Sequence, residues 1–376
     1  MSKLGKLFII LLLVVMIVSV VVGFTLSFTA NGASIINVTD SQVTADFPAS
    51  ITFSLKATSE APITDIRLLY TVEHRSLADI YSESYVTFTP STSVSASWVW
   101  DMRRTGGLPP GTGITYWWKI TDQAGRVLET DRTAFTFDDN RYNWQTLSQG
   151  LVTLYWYNGN QDFAQQLMDA TQSALTRLDD IAGATLNDPV KLYIYKDAQA
   201  LQGALIFAQD WTGGIAFSDY GTVAIGIGTS QSELTWGKTT IAHELTHLVV
   251  GQVTENPYGG LPTWLNEGLA MVAEGPLDPS FENVFRDAFN TNGIISVRSL
   301  ASPFSVYANI SYLAYAESYH IVAYLLDTYG RDKMLQLLNA FAQGSTYDGA
   351  LQQVYGFGMD GLNSAWEAAL GYGTSA

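Results

Sequence analysis

Ile241-Ala-His-Glu-Leu-Thr-His-Leu-Val-Val-Gly251, followed after a proline-containing loop by Thr263-Trp-Leu-Asn-Glu-Gly-Leu-Ala270, is the stretch on which the reading of this chain turns. Ile241, Leu245, Leu248 and Val249 form an apolar stripe at helical spacing. Ser230-Gln-Ser-Glu233 can form a capping box that starts the helix. Gly251 is placed to stop it in the left-handed conformation. Positions i and i+4 of a helix share a face, so His243 and His247 can approach one ion from a face other than the apolar one. Neutral imidazole suits zinc, and three protein ligands leave a position open for water. Glu267, on a second helix and 20 positions after His247, can supply the third ligand. It is flanked by Trp264, Leu265 and Leu269, and a carboxylate buried there needs a compensating charge. Gly268 and Ala270 are small enough to bring the second helix close to the first. Glu244 lies beside the metal position, where it can accept a proton from water bound there.

Working outward, Ala314-Tyr-Ala-Glu-Ser-Tyr-His-Ile-Val-Ala-Tyr-Leu-Leu-Asp-Thr-Tyr-Gly330 reads as a long helix ended by glycine. Upstream, Gln161 to Ile181 carries Phe163, Leu167, Ala170, Ala174, Leu175 and Leu178 at helical spacing. Val190-Lys-Leu-Tyr-Ile-Tyr and Val223-Ala-Ile-Gly-Ile-Gly read as strands, and helix dominates from Ser232 onward. Asp138-Asp-Asn-Arg-Tyr-Asn-Trp reads as a junction. Before it, from Ser34 to Asp138, about seven short strands at regular spacing predict an antiparallel β-sandwich of immunoglobulin or fibronectin-III type. Trp98, Trp100, Trp117 and Trp118 are expected in its core, and the sandwich itself is expected to be a spacer or binding module. The fold class is therefore α+β, a β-sandwich over 34–140 followed by a mixed sheet and a mainly helical half over 141–376.

Composition narrows the functions. The 376 residues are 47% hydrophobic, enough for packed cores. Lys plus Arg is 19 against 35 for Asp plus Glu, and a net charge of −16 argues against nucleic acid as a partner. With no cysteine, disulfides, thiolate metal sites and a cysteine nucleophile are excluded. A metal must then use His, Asp or Glu, and the only histidines are His74, His243, His247 and His320. Leu7 to Leu26 run without a charge after Lys3 and Lys6. Residues 1–33 are accordingly read as an uncleaved membrane anchor or as a signal peptide cleaved near Ala30-Asn31-Gly32. Either way the remainder is expected outside, tethered to the cell membrane or secreted, with the membrane met only through this segment.

His243-Glu-Leu-Thr-His247 followed by Trp264-Leu-Asn-Glu-Gly-Leu-Ala270 resembles the gluzincins, within the aminopeptidase N and thermolysin superfamily, and specifically the bacterial peptidase MA-like domains. The resemblance covers roughly residues 145–372 and does not extend to the sandwich. It implies a zinc metallopeptidase in which His243, His247 and Glu267 hold Zn2+ and Glu244 activates the zinc-bound water. It implies also a tyrosine that hydrogen-bonds the oxyanion. Tyr315 matches that position and Tyr319, one turn later, is the alternative. In the aminopeptidase N branch a strand carries a glutamate for the substrate amine. The corresponding stretches here, Gly213-Gly-Ile-Ala-Phe or Val223-Ala-Ile-Gly-Ile-Gly, have none. Endopeptidase action on a peptide or protein is therefore expected, with the strand pairing an extended substrate backbone. Two rival readings remain open at this point: a cell-surface binding or adhesion protein with a structural zinc site, and a zinc hydrolase of a non-peptide substrate. His320 is expected to be structural, and His74 to take no part in the metal site.

Overall fold

The computed structural model describes residues 35–75, 78, 80–209, 212–305 and 307–372. The predicted anchor or signal segment lies outside them. Among the described residues, no helix is long and apolar enough to cross a membrane.

The expected strands of the N-terminal region form, but their arrangement differs from an immunoglobulin-type sandwich of two separate sheets. Seven antiparallel strands join in one hydrogen-bonded sheet: β1 (Asn37–Asp46), β2 (Ser50–Val72), β3 (Ser82–Tyr85), β4 (Ser91–Asp101), β5 (Thr112–Asp122), β6 (Val127–Glu129) and β7 (Thr133–Phe137). The reason is β2. The runs Ile51–Lys56 and Ile66–Val72, read from sequence as two strands, are one strand of 23 residues. Ser-Glu-Ala-Pro62 between them does not turn the chain back. It is an irregularity, where the pairing with β4 shifts register between Thr58 and Ile63, as proline in a strand favours. The first half of β2 lies between β1 and β4, and the second between β3 and β5. The two halves face each other through aromatic rings. Phe53 meets Tyr116 at 5.0 Å between centroids, and Tyr70 meets Trp100 at 4.9 Å. Trp100, Trp117 and Trp118 are buried, as expected for core.

A second sheet of five strands follows in the order β11-β12-β10-β9-β8. Its strands are β8 (Gln145–Gln149), β9 (Val152–Trp156), β10 (Val190–Tyr195), β11 (Gly214–Phe217) and β12 (Thr222–Gly226). The central three are parallel and the two outer ones antiparallel. Strands buried on both faces read as nearly continuous apolar runs, which explains Val190-Lys-Leu-Tyr-Ile-Tyr. Leu192, Ile194, Val223 and Ile225 pack into the helical core. Tyr193, Tyr195 and Ala224 point the other way and pack with the N-terminal sheet. The predicted junction is fastened there. The Tyr195 hydroxyl donates to Asp139 Oδ2 at 3.0 Å, and Arg141 forms an ion pair with the same carboxylate at 2.7 Å.

The helices are α1 (Gln161–Ala182), α2 (Ala198–Gln202), α3 (Gln231–Val253), α4 (Thr263–Glu274), α5 (Pro279–Asn290), α6 (Ala308–Tyr329), α7 (Arg331–Ala342), α8 (Tyr347–Tyr355) and α9 (Met359–Leu370). Ser230 and Glu233 do form the capping box of α3. Gly251 does not stop this helix, which runs on to Val253 and is capped at Thr254. A Cβ at 251 would stand a tight 3.3 Å from Ser218 Cβ, so a larger residue would press on the turn after β11. At the crossing of α4 and α6 a Cβ on Gly268 would come within 2.4 Å of the Ser318 carbonyl oxygen, so only glycine permits this approach.

Candidate metal centre

The centre is built from α3, α4 and α6, with β11 along one side. α3 presents His243 and His247 one turn apart, their rings edge to face at 4.8 Å. α4 brings Glu267 opposite them. Its Oε2 lies 3.5 Å from His243 Nε2 and 3.6 Å from His247 Nε2. All three ligand atoms fall within 4.8 Å of one another. Bonds of about 2.0–2.1 Å in a tetrahedral zinc site separate neighbouring ligand atoms by about 3.3–3.5 Å, and the two distances from Glu267 match that spacing. The buried Glu267 Oε2 also has no hydrogen-bond partner. A buried carboxylate oxygen left in that state is costly, and a cation removes the cost.

A fourth carboxylate completes the arrangement, and it was not anticipated from the sequence. Glu274 Oε1 accepts from His243 Nδ1 at 2.6 Å. That bond fixes the proton on Nδ1 and turns the Nε2 lone pair toward the metal position. The signal was available: Glu274 is seven residues after Glu267, two turns along the same helical face. The local field favours positive charge. Burial opposes charging of His243, but Glu267, Glu274 and Glu244 outweigh it and its pKa is pushed up to about 10. For Glu267 burial acts upward, yet the two imidazoles hold its carboxyl below the ordinary value.

Glu244 is not among the three gathered ligands. Burial raises its pKa above the ordinary glutamate value, against the pull of His243 and His247. It faces β11, where a Cβ on Gly214 would stand 3.0 Å from Glu244 Oε1. Among the described residues β11 pairs only with β12, so its outer edge is free beside this carboxylate. Tyr315 reaches the centre from α6, its ring 6.5 Å from that of His243. Burial, with Glu267, Glu244 and Glu274 nearby, pushes its hydroxyl well above the ordinary phenol pKa, so it remains a hydrogen-bond donor. Tyr319 instead meets His320. His320 stacks on Phe285 at 4.0 Å and contacts Glu282 at 3.2 Å, away from the three ligands.

His74 is not among the three gathered residues, but it is nearer to them than expected. It lines, with His247, a cavity of about 570 Å³ in which the N-terminal region meets the helical half.

Helix-borne His, His and Glu around one point, with a further carboxylate beside them and a free strand edge, define a metallopeptidase-type site. Residues 170–371 match the family model of the Peptidase MA superfamily. The match covers more than half of the chain, and the chain belongs to that superfamily. No curated protein matches it by sequence. Among solved structures, it is similar to the M1 zinc metallopeptidase from Deinococcus radiodurans, with 13% identity, 85% of this chain and 90% of that one covered, and a TM-score of 0.39. OgpA from Akkermansia muciniphila is 13% identical over 28% of each chain, with a TM-score of 0.23. A β-1,3-glucan binding domain of carbohydrate-binding module family 56 is 10% identical over 27% of this chain and 99% of its own, with a TM-score of 0.18. The assignment stands on the family match.

Proposed function

We propose that this chain is an exported, zinc-dependent endopeptidase, with His243, His247 and Glu267 as ligands, Glu244 as general base and Tyr315 as oxyanion donor. The carrying observation is the position of Glu244: beside three converging ligand atoms, not among them, and against the free edge of β11. A purely structural metal site has no use for such a carboxylate, which weighs against the binding-protein reading. Export is read from the uncharged run in residues 1–33 after Lys3 and Lys6.

The chemistry that zinc supplies when bound is Lewis acidity, toward the scissile carbonyl and toward water. Glu244 removes the proton from the attacking water and delivers it to the leaving amine. The Tyr315 hydroxyl donates to the oxygen that gains charge as the carbonyl is attacked. β11 offers backbone groups to an extended substrate, and Gly214 keeps a side chain from standing between that substrate and Glu244.

Glu244→Gln tests the reading. The amide is close to isosteric, so zinc content should stay at one per chain. It cannot carry the proton, so hydrolysis of an unstructured protein should fall by about 10²–10⁴-fold. A variant with full zinc and undiminished hydrolysis refutes the role of Glu244. A zinc-loaded wild type that cleaves no polypeptide moves the weight to a non-peptide substrate.

A further inference from the structure

The cavity beside His247 is shared by both parts of the chain. Ser218 and Asp219 come from the turn after β11, Glu255 from the loop just after α3, Asn266 from α4 next to Glu267, and His74 and Arg75 from the segment after β2. The N-terminal wall is fastened to the rest. The Arg75 backbone N–H donates to the Asp219 carbonyl at 2.6 Å. Its guanidinium donates to the Glu255 carboxylate and, at 3.3 Å, to the Gln252 carbonyl. These contacts neutralise Arg75. The Asp219 carboxylate, by contrast, is exposed into the cavity and makes no side-chain hydrogen bond or ion pair among the described residues.

We propose that this cavity is a substrate subsite selecting a cationic nitrogen group, with Asp219 as its counter-ion and the wall from residues 74–75 as part of the site. The proposal rests on the peptidase reading and names its substrate class: a polypeptide presenting a lysine or arginine side chain beside the bond to be cut. The cavity volume exceeds that of any one side chain, and His247 in its lining places the bound group next to the reacting centre. With Arg75 already paired to both Glu255 and Asp188, the negative charge of Asp219 is left uncompensated, so an ammonium or guanidinium is the group that completes it. The Gly213–Gly228 stretch lacks a glutamate but contains this aspartate. An N-terminal α-amine therefore carries the same chemistry as a lysine side chain, and the experiment separates the two sources.

Peptides with lysine, arginine or norleucine at each position around the cleaved bond would be compared, with blocked and with free N-termini. The readout is the ratio of kcat/KM between cationic and norleucine peptides within each protein variant. A charge-assisted bond in a partly enclosed cavity makes this ratio about tenfold for the wild type at one position. Asp219→Asn should bring it close to one. Glu255→Gln should lower it by less than Asp219→Asn does, because Arg75 loses its nearer anionic partner but keeps its 3.8 Å ion pair with Asp188. Zinc content and thermal melting of each variant establish that it is folded. A ratio of one in the wild type, or one that Asp219→Asn leaves unchanged, overturns the proposal. A gain that follows the free α-amine in place of the side chain, and is lost in Asp219→Asn, upholds the cation subsite while overturning endopeptidase action. If the zinc-loaded wild type cleaves nothing, calorimetry of lysine and norleucine peptides on zinc-loaded Glu244→Gln decides separately. Tighter lysine binding keeps the subsite, and equal binding removes it.

Discussion

Glu274→Gln measures how much metal affinity depends on a residue that is not among the three ligands. The wild-type contact is short, 2.6 Å from His243 Nδ1, and Glu274 is three-quarters buried, so it is a charge-assisted bond in a partly dry setting. Such bonds contribute about 1.5–3 kcal/mol, against about 1 kcal/mol for neutral ones. Gln keeps an acceptor in the same place and loses the charge. The difference, about 0.5–2 kcal/mol, corresponds to a zinc affinity roughly 2–30-fold weaker. Glu274→Leu removes the acceptor as well and should cost about 100-fold, the upper end seen when partners of metal-bound histidines are removed. Glu274 is the last residue of α4, so neither substitution interrupts a helix. The assay is competition with a chromophoric zinc chelator at fixed pH, with circular dichroism as the control for folding. Zinc affinity within twofold of wild type in both variants would refute the idea that Glu274 sets the His243 tautomer for the metal.

Two further outcomes follow from α6. Tyr315→Phe should lower kcat by about 10²-fold and leave zinc content unchanged, because metal polarisation of the carbonyl remains; steady-state kinetics on a blocked peptide checks it, and an equal loss in Tyr319→Phe would move the donor role. Glu317 is fully buried, and among the described residues both its oxygens accept only from the Ile295 N–H, at 3.0 and 3.1 Å. Burial pushes its pKa up to about 8 from an ordinary 4.5. A raised folded-state pKa means that its stabilising contribution is complete below pH 4.5 and is lost as pH rises through 8. Glu317→Gln, which does not titrate, should therefore gain on the wild type across that window. Each tenfold change in proton affinity between the folded and unfolded chain is worth about 1.4 kcal/mol, so the gain reaches a few kcal/mol once the pH has passed that of the buried carboxyl. Melting temperatures taken in mildly acidic, neutral and alkaline buffer should show the gap opening.

The three candidate ligands could be grouped from the sequence because their geometry is local. His243 and His247 need only the 3.6-residue period of one helix, and the capping box at Ser230 and Glu233 marks where that helix begins. Glu274 obeys the same period but falls outside the motif wording, so it took the structure to find it. The N-terminal strands were visible one by one, since alternation is also local. Their connection was not, because Pro62 reads as a turn and the pairing that carries β2 past it comes from strands far along the chain. The cavity wall was least accessible of all. Arg75 and Glu255 are 180 positions apart, and nothing in either neighbourhood announces the other.

The tyrosine face of the second sheet has a consequence for how this protein could be divided. Tyr193 and Tyr195 are almost wholly buried, at 1% and 0% exposure, and it is the N-terminal sheet that packs on their side. A chain begun near residue 141 would turn that face, with Tyr155 stacked on Tyr193 at 4.5 Å, out to water. Exposed aromatic surface on a flat sheet invites self-association. The N-terminal layer thus acts as the lid of a box whose contents cannot be stored open.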